Sequence, residues 1–358
     1  MTAAPRDARA ERTLRSLLAA LPDDVAATRT VCAQVDDWGP LLASARAHGV
    51  GGVVFSGLRR AEIRVPDGPR DDHERLTLVE DMRQAGMRRA LASVLDALAK
   101  QGVANVALKG PLLAARLYAP EDVRPSTDLD LLLEPSSLEP AAAALAPLGY
   151  VLEGGATGRF YRDHHHHVHA IHRSLPLVEL HFDAYRGFGT ALPAAPLLER
   201  SSPCLAGGFA HARVLSPEDE WLYLAVHGAS HRFERLCWLY DLKLFGRAHP
   251  DLRWEVIAAR AREWRLSAVV SLTARLLVDW LGTAVRDCGN FAPLGDARAL
   301  AAEQLSKPLD SHLANAVASV AFAALLCEPA SVAAFGTRYL RMKLLHEMPL
   351  RARAFFAS

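Results

Sequence analysis

Residues 107–135 read ALKGPLLAARLYAPEDVRPSTDLDLLLEP, and this stretch decides the reading of the chain. Asp128 and Asp130 are one residue apart at the head of an apolar run, 129–134, whose length and composition predict a strand. Alternation along a strand turns both carboxylates to one face, while Leu129 and Leu131 point the other way. Two carboxylates side by side repel unless a positive charge lies between them. A divalent metal meets that need, because Mg²⁺ takes hard oxygen ligands, commonly one or two carboxylates together with substrate phosphates. Capping of a turn at the strand start is the competing reading of such a pair.

Two further features favour the metal. Upstream, 105–108 reads as a strand and 111–118 as a helix opened by a proline, so Gly110 lies at a tight strand-to-helix turn able to aim free N–H groups at phosphate. Lys109 adds a compact positive charge there, in a chain with only five lysines among its 41 basic residues. Downstream, PLVELHFDAY places Glu179 between Val178 and Leu180 in an apolar strand, where an unpartnered carboxylate is costly. A metal held by Asp128 and Asp130 is a candidate partner.

Working outward, the 358 residues exceed what one ordinary core takes and predict two or three packed units. We expect an N-terminal helical region over 1–100, an α/β core over 101–200 and a C-terminal helical region over 201–358. In the first, a Pro/Gly/Asp-rich loop is expected at 64–72. In the second, a helix over 136–148 should end at Gly149, followed by strands over 160–171 and 177–182, with a loop-rich stretch to Val214. In the third, Ser216, Pro217 and Asp219 look like a cap, a first-turn proline and a first-turn acid. Further helices are expected over 236–245, 254–263, 268–281, 313–327 and 332–345.

Hydrophobic residues at 51% and charged residues at 23% exclude disordered, collagen-like and coiled-coil classes. A net charge of +1 supplies no global field toward nucleic acid or anionic membrane, so stable nucleic-acid binding is not expected. The basic tail, with Arg338, Arg341, Lys343, Arg351 and Arg353, reads as a solvated helix face. Five scattered cysteines without CxxC spacing argue against a disulfide framework or structural zinc site and fit a reducing cytoplasm. The longest apolar stretch, 313–327, contains Asn315 and falls short of a membrane span.

The ordered set Leu108-Lys109-Gly110, then Arg124-x-x-x-Asp128-Leu129-Asp130, then Glu179-Leu180-His181 resembles the uncharacterised bacterial nucleotidyltransferases of the DNA polymerase β-like superfamily. The run HGASHRFERLCWLYDL, 227–242, is similar to the helical C-terminal part of that group. The resemblance spans roughly 75–250. It implies an α+β fold, a small mixed sheet with helices, flanked here by N- and C-terminal helical regions. It further implies that Asp128, Asp130 and Glu179 are catalytic metal ligands for Mg²⁺, or Mn²⁺, with Lys109, Gly110 and Arg124 contacting the NTP phosphates. The implied reaction moves an NMP from an NTP to a hydroxyl of a small molecule, peptide or protein with release of pyrophosphate. A silent nucleotide-binding or sensing module of the same fold is the alternative. The chain departs from the superfamily in having Pro111 where a serine is common, which shifts the expected phosphate contacts toward Lys109 and Arg124.

The histidine run HHHHVHAIH, 164–172, invites a zinc or nickel reading, but nothing supplies the Cys or acidic partners and closed spacing of a structural site, and a polar strand beside the cleft is the preferred interpretation. His181 shares a face with Glu179 and either orients the metal cluster or is a hydrogen-bonded buried side chain. His227 and His231, four apart, and Asp241 form either a core network or the wall of an acceptor pocket.

Overall fold

The computed structural model describes residues 7–283, 285 and 312–327. It opens with five helices, α1 (Ala8–Ala20), α2 (Val25–Cys32), α3 (Trp38–Ala47), α4 (Gly51–Arg60) and α5 (Asp67–Lys100). The Asp7 side chain caps α1 by accepting from the amides of Arg9 and Ala10, and Leu14, Leu17 and Leu18 recur at helical spacing on its buried face. The loop expected at 64–72 is shorter than its composition suggests: α5 starts at Asp67, and Pro69 falls in its first turn, where a missing N–H costs nothing.

After α5 come β1 (Val106–Ala107), α6 (Pro111–Leu117), β2 (Asp128–Leu132), α7 (Leu138–Leu145), β3 (Val151–Leu152), α8 (Gly155–His164), β4 (His167–Ile171) and β5 (Leu177–His181). The strands form one mixed sheet in the order β1-β2-β5-β4-β3, with only β2 and β5 parallel. Asp130 lies opposite Glu179 and Glu179 opposite His169, while Leu132, His181 and His167 form the next row. Residues opposite one another across strands share a face, so one register decision gathers Asp128, Asp130, Glu179, His181, His167 and His169 on one side. The other face carries Leu129, Leu131, Val178, Leu180, Val168 and Ala170, all buried against Leu91, Val94, Leu95 and Leu98 of α5 and Leu138, Ala141 and Leu145 of α7. Each such leucine or valine contributes roughly 1.5–3 kcal/mol by leaving water. Gly149 ends the helical stretch in the left-handed conformation, at φ +89°.

The single strand expected over 160–171 is instead the helix α8 followed by β4, because GRFYRD lacks the period-two alternation that begins at His167. The stretch expected to be loop-rich is more ordered, with β6 (Asp183–Gly187) and β7 (Thr190–Pro193) as a hairpin, α9 (Ala194–Glu199), and a short pair β8 (Ser202–Pro203) and β9 (Arg213–Val214).

The chain then continues through α10 (Pro217–Ser230), α11 (Leu236–Ala248), α12 (Trp254–Glu263), α13 (Ser267–Leu281) and α14 (His312–Leu326). Ser216 caps α10 through the amide of Asp219, with Pro217 at its first position, as the sequence predicts. The helices on either side of the sheet share one core, in which Leu14, Leu41 and Val53 join Trp221, Leu239, Val269 and Phe322. Lys243 on α11 donates to the carbonyls of Leu18 and Ala19 at the C-terminal end of α1, at 2.7 and 2.6 Å, where a cation meets the negative end of the helix. The helix expected over 332–345, the basic tail and Cys288 lie outside the described residues. Cys32, Cys204 and Cys237 are free thiols, and among the described residues no helix is long and apolar enough to cross a membrane.

Candidate active site

Gly110 adopts φ +73° and ψ −135° between β1 and α6, a conformation essentially restricted to glycine. A Cβ there would meet nothing closer than 3.6 Å, so the backbone conformation and not space requires the glycine. The turn aims Lys109 at the carboxylate face. Its Nζ lies 2.6 Å from Asp130 Oδ2 and 3.4 Å from Asp128 Oδ1. The closer approach is a charge contact rather than an aligned hydrogen bond. The positive charge that a D-x-D pair requires is thus supplied here by the chain's own ammonium. Burial works against that ammonium, but Asp130 and Asp128 more than offset it and raise the Lys109 pKa above its ordinary value. Burial likewise opposes ionisation of Asp130, and the Lys109 charge and His181 hydrogen bond together hold its pKa below the usual range.

His181 bridges the carboxylates from the far side. Its Nε2 is 3.1 Å from Asp130 Oδ1 and 3.4 Å from Glu179 Oε2. Burial alone would strip its proton, yet hydrogen bonding to Asp130 and Glu179 raises the pKa to about 9. Burial would raise Glu179, and the bond from His181 instead lowers it to about 2. The partner that Glu179 needs in its apolar strand is therefore at least this histidine. Beyond Glu179 stand His169, whose Nε2 is 3.8 Å from Glu179 Oε1, and His167, whose Nδ1 is 3.9 Å from Glu179 Oε2. Burial and then the charge on His181 push His167 down to about 3, so it is neutral.

The facing wall of this cleft, of about 330 Å³, comes from α10 and its C-terminal end, with Tyr223, His227 and His231, from Tyr185 and Arg186 of β6, and from Phe322 of α14. The ring of Trp238 is 5.6 Å from that of His227 and 4.9 Å from that of His231. Burial and nearby Lys109 hold His227 well below the ordinary imidazole value, and burial with the Asp130 charge raises Tyr223 well above the ordinary phenol value.

The fold brings Lys109, Asp128, Asp130, Glu179, His181, His227 and His231 around one cleft. Gly110, Arg124 and Asp241 do not line it. Arg124 instead donates from Nε and NH2 to the two oxygens of Asp241 at 2.7 and 2.6 Å, and from NH1 to Ser126 Oγ at 3.2 Å. Tyr118 donates to Asp241 at 2.6 Å. Burial opposes the Arg124 charge, and Asp241 outweighs it. This pair ties the lead-in to β2 onto α11, so it positions the Asp128–Asp130 strand without lining the cleft. Tyr223 was missed from the sequence, although it stands one turn before His227 on α10 and that spacing offered a signal. Tyr185 and Glu153 carried no comparable signal.

The oxygens of three carboxylates on adjacent strands are a donor set that suits a hard divalent ion. Asp130, Glu179 and His181 also offer ligand atoms within 4.8 Å of one another. A family model described as an uncharacterised nucleotidyltransferase matches residues 34–282, from the N-terminal helices through the sheet to α13. Comparison with curated proteins and with solved structures gave no match.

Proposed function

Because the chain belongs to this uncharacterised nucleotidyltransferase family, we propose that it transfers an NMP from an NTP to a hydroxyl acceptor, a small molecule, peptide or protein, with release of pyrophosphate. The observation that carries the reading is the register of β2 against β5, which sets Glu179 beside Asp130 and leaves Asp128 on the same face, open to the cleft. Asp128, Asp130 and Glu179 would hold Mg²⁺, or Mn²⁺. Bound there, the metal would neutralise phosphate charge and lower the pKa of an acceptor hydroxyl. Lys109 holds the two aspartates together before nucleotide arrives and supplies a compact positive charge for the triphosphate afterwards. His181 keeps Asp130 and Glu179 ionised and aligned by hydrogen bonds to both. Neutral His227, with His231 beside it, offers the acceptor hydroxyl a hydrogen-bond partner from the opposite wall. Arg124 and Asp241 act at a distance by fixing the strand that carries the aspartates.

A second reading, a silent nucleotide-binding module, draws on the same site: Lys109 and His181 already neutralise much of the carboxylate charge. Calorimetric titration with Mg·ATP and the other Mg·NTPs tests the shared part. At least one nucleotide is expected to bind the wild type, and Asp128→Asn is expected to lose that affinity by about tenfold or more, the scale of one charged contact worth roughly 1.5–3 kcal/mol. Unchanged affinity in the variant would remove the carboxylate face from nucleotide binding.

A further inference from the structure

We propose that His167, His169 and Glu179 form a separate site for a divalent transition ion of the Zn²⁺ class, on the histidine side of the cleft. The site shares Glu179 with the nucleotidyl-transfer reading but does not rest on it. The fold brings two carboxylates to the histidine run, Glu179 from β5 and Glu153 from the segment after β3.

Three features of the geometry point to an ion. Ligand atoms about 2.0–2.1 Å from a tetrahedral centre lie roughly 3.3–3.4 Å from one another. His169 Nε2 is 3.8 Å from Glu179 Oε1 and His167 Nδ1 is 3.9 Å from Glu179 Oε2, so each imidazole faces one oxygen of the carboxylate from beyond hydrogen-bond reach, at a spacing that small side-chain shifts would close around an ion. Secondly, Glu153 Oε2 lies 3.0 Å from His169 Nδ1. Accepting the Nδ1 proton fixes the tautomer that leaves Nε2 bare toward Glu179, the carboxylate–histidine–metal arrangement of metal sites. Thirdly, His167 Nδ1 is buried with no hydrogen-bond partner, although it faces a carboxylate. The three side chains offer ligand atoms that all lie within 4.8 Å of one another.

The donor set selects the ion. Two imidazole nitrogens and one carboxylate suit Zn²⁺ or Co²⁺, whereas Mg²⁺ prefers oxygen throughout. Three protein ligands leave one position of a tetrahedral ion open, as in sites that also bind water or substrate. The alternative grouping of Asp130, Glu179 and His181 is less suited to such an ion, because His181 Nε2 is already engaged at 3.1 and 3.4 Å by the two carboxylates.

The test uses the purified full-length chain, stripped with chelator and titrated with Zn²⁺ by calorimetry and with Co²⁺ by visible absorption, without nucleotide. The wild type is expected to bind one equivalent and to give the absorption of tetrahedral Co²⁺. His167→Ala and His169→Ala should lose it, Asp130→Asn should keep it, and Glu153→Gln should weaken it about 10–100-fold while circular dichroism stays unchanged. Absence of binding to the wild type, or wild-type affinity in either His167→Ala or His169→Ala, overturns the proposal. So does binding that survives His169→Ala but is lost in Asp130→Asn, which would put the ion on the other cluster. Because no nucleotide is present, a negative result leaves NMP transfer to its own test.

Discussion

Asp241→Asn separates a structural from a catalytic role more sharply than any other substitution. In the wild type the Arg124 and Asp241 side chains are only 5% and 2% exposed, and the guanidinium makes two bonds to the carboxylate. The substitution removes the negative charge, leaves the guanidinium buried without its counter-charge, and retains one oxygen to serve Arg124 or Tyr118. Breaking a buried pair from one side costs about 3–5 kcal/mol. With an unfolding entropy of roughly 2.1 cal/mol/K per residue, the 358-residue chain has about 0.75 kcal/mol/K, so Tm should fall by roughly 4–7 °C. The double variant Arg124→Met with Asp241→Leu removes both charges and should regain a large part of the loss, because well-packed apolar replacements of buried pairs are often close to neutral. Melting followed by circular dichroism gives the first readout, and Mg·NTP affinity of the folded fraction, expected to be near wild type, gives the second. A normal Tm combined with failure to use the acceptor would refute this reasoning and return Asp241 to the acceptor pocket.

Lys109→Met should leave Asp130 with less compensating charge and weaken Mg·NTP binding, with Lys109→Arg only partly restoring it, because a planar fork does not replace a compact ammonium at that turn; equal affinities by calorimetry would count against the phosphate role. Gly110→Ala should destabilise the chain by about 1–3 kcal/mol in urea unfolding, since alanine is strained at φ +73°, and unchanged stability would show that the turn relaxes. Glu179→Gln should reduce turnover more than Mg·NTP affinity, and it removes one of the two carboxylates that raise His181, so the imidazole should titrate below about 9 when followed by NMR. The pH dependence of the metal-free protein follows in sign: His181 has a folded pKa above its unfolded value, so its contribution is complete below about 6.5 and is lost as pH rises through about 9. Glu179 runs the other way, its contribution complete above about 4.5 and lost as pH falls toward about 2, and chemical unfolding across pH checks both limbs.

How much of this was legible in the sequence depended on the range of the interaction. The Asp128 and Asp130 pair was readable because alternation along a strand is local, and Glu179 stood out because a carboxylate in an apolar run needs a partner. What no local pattern contains is the register of β2 against β5, which makes neighbours of Asp130 and Glu179, 49 positions apart in the chain. The family resemblance placed Arg124 at the phosphates; in the fold it bonds Asp241, 117 positions away. Which carboxylates face the histidine run was hidden for a related reason. Glu153 comes from just after β3 and Glu179 from the middle of β5, and the helix α8 that begins the segment carries no alternation to mark where β4 starts. The turn at Gly110 was correctly placed, but its use is to aim Lys109 into the cleft.

The most direct test of the central claim follows the phosphorus atom. The purified chain, Mg²⁺ and each NTP, labelled in parallel on the α- or the γ-phosphate, are incubated with cell extract as the source of acceptor, and labelled products are separated from nucleotide. Attack on the α-phosphate is expected to move the α-label, and not the γ-label, into an acceptor fraction, with pyrophosphate released in equal amount. Asp128→Asn and Asp130→Asn should reduce that transfer to less than about a tenth of wild type, given the several kcal/mol that metal-assisted charge stabilisation supplies. Transfer of the γ-label, undiminished α-transfer in both variants, or tight Mg·NTP binding with no labelled product would contradict nucleotidyl transfer at this site.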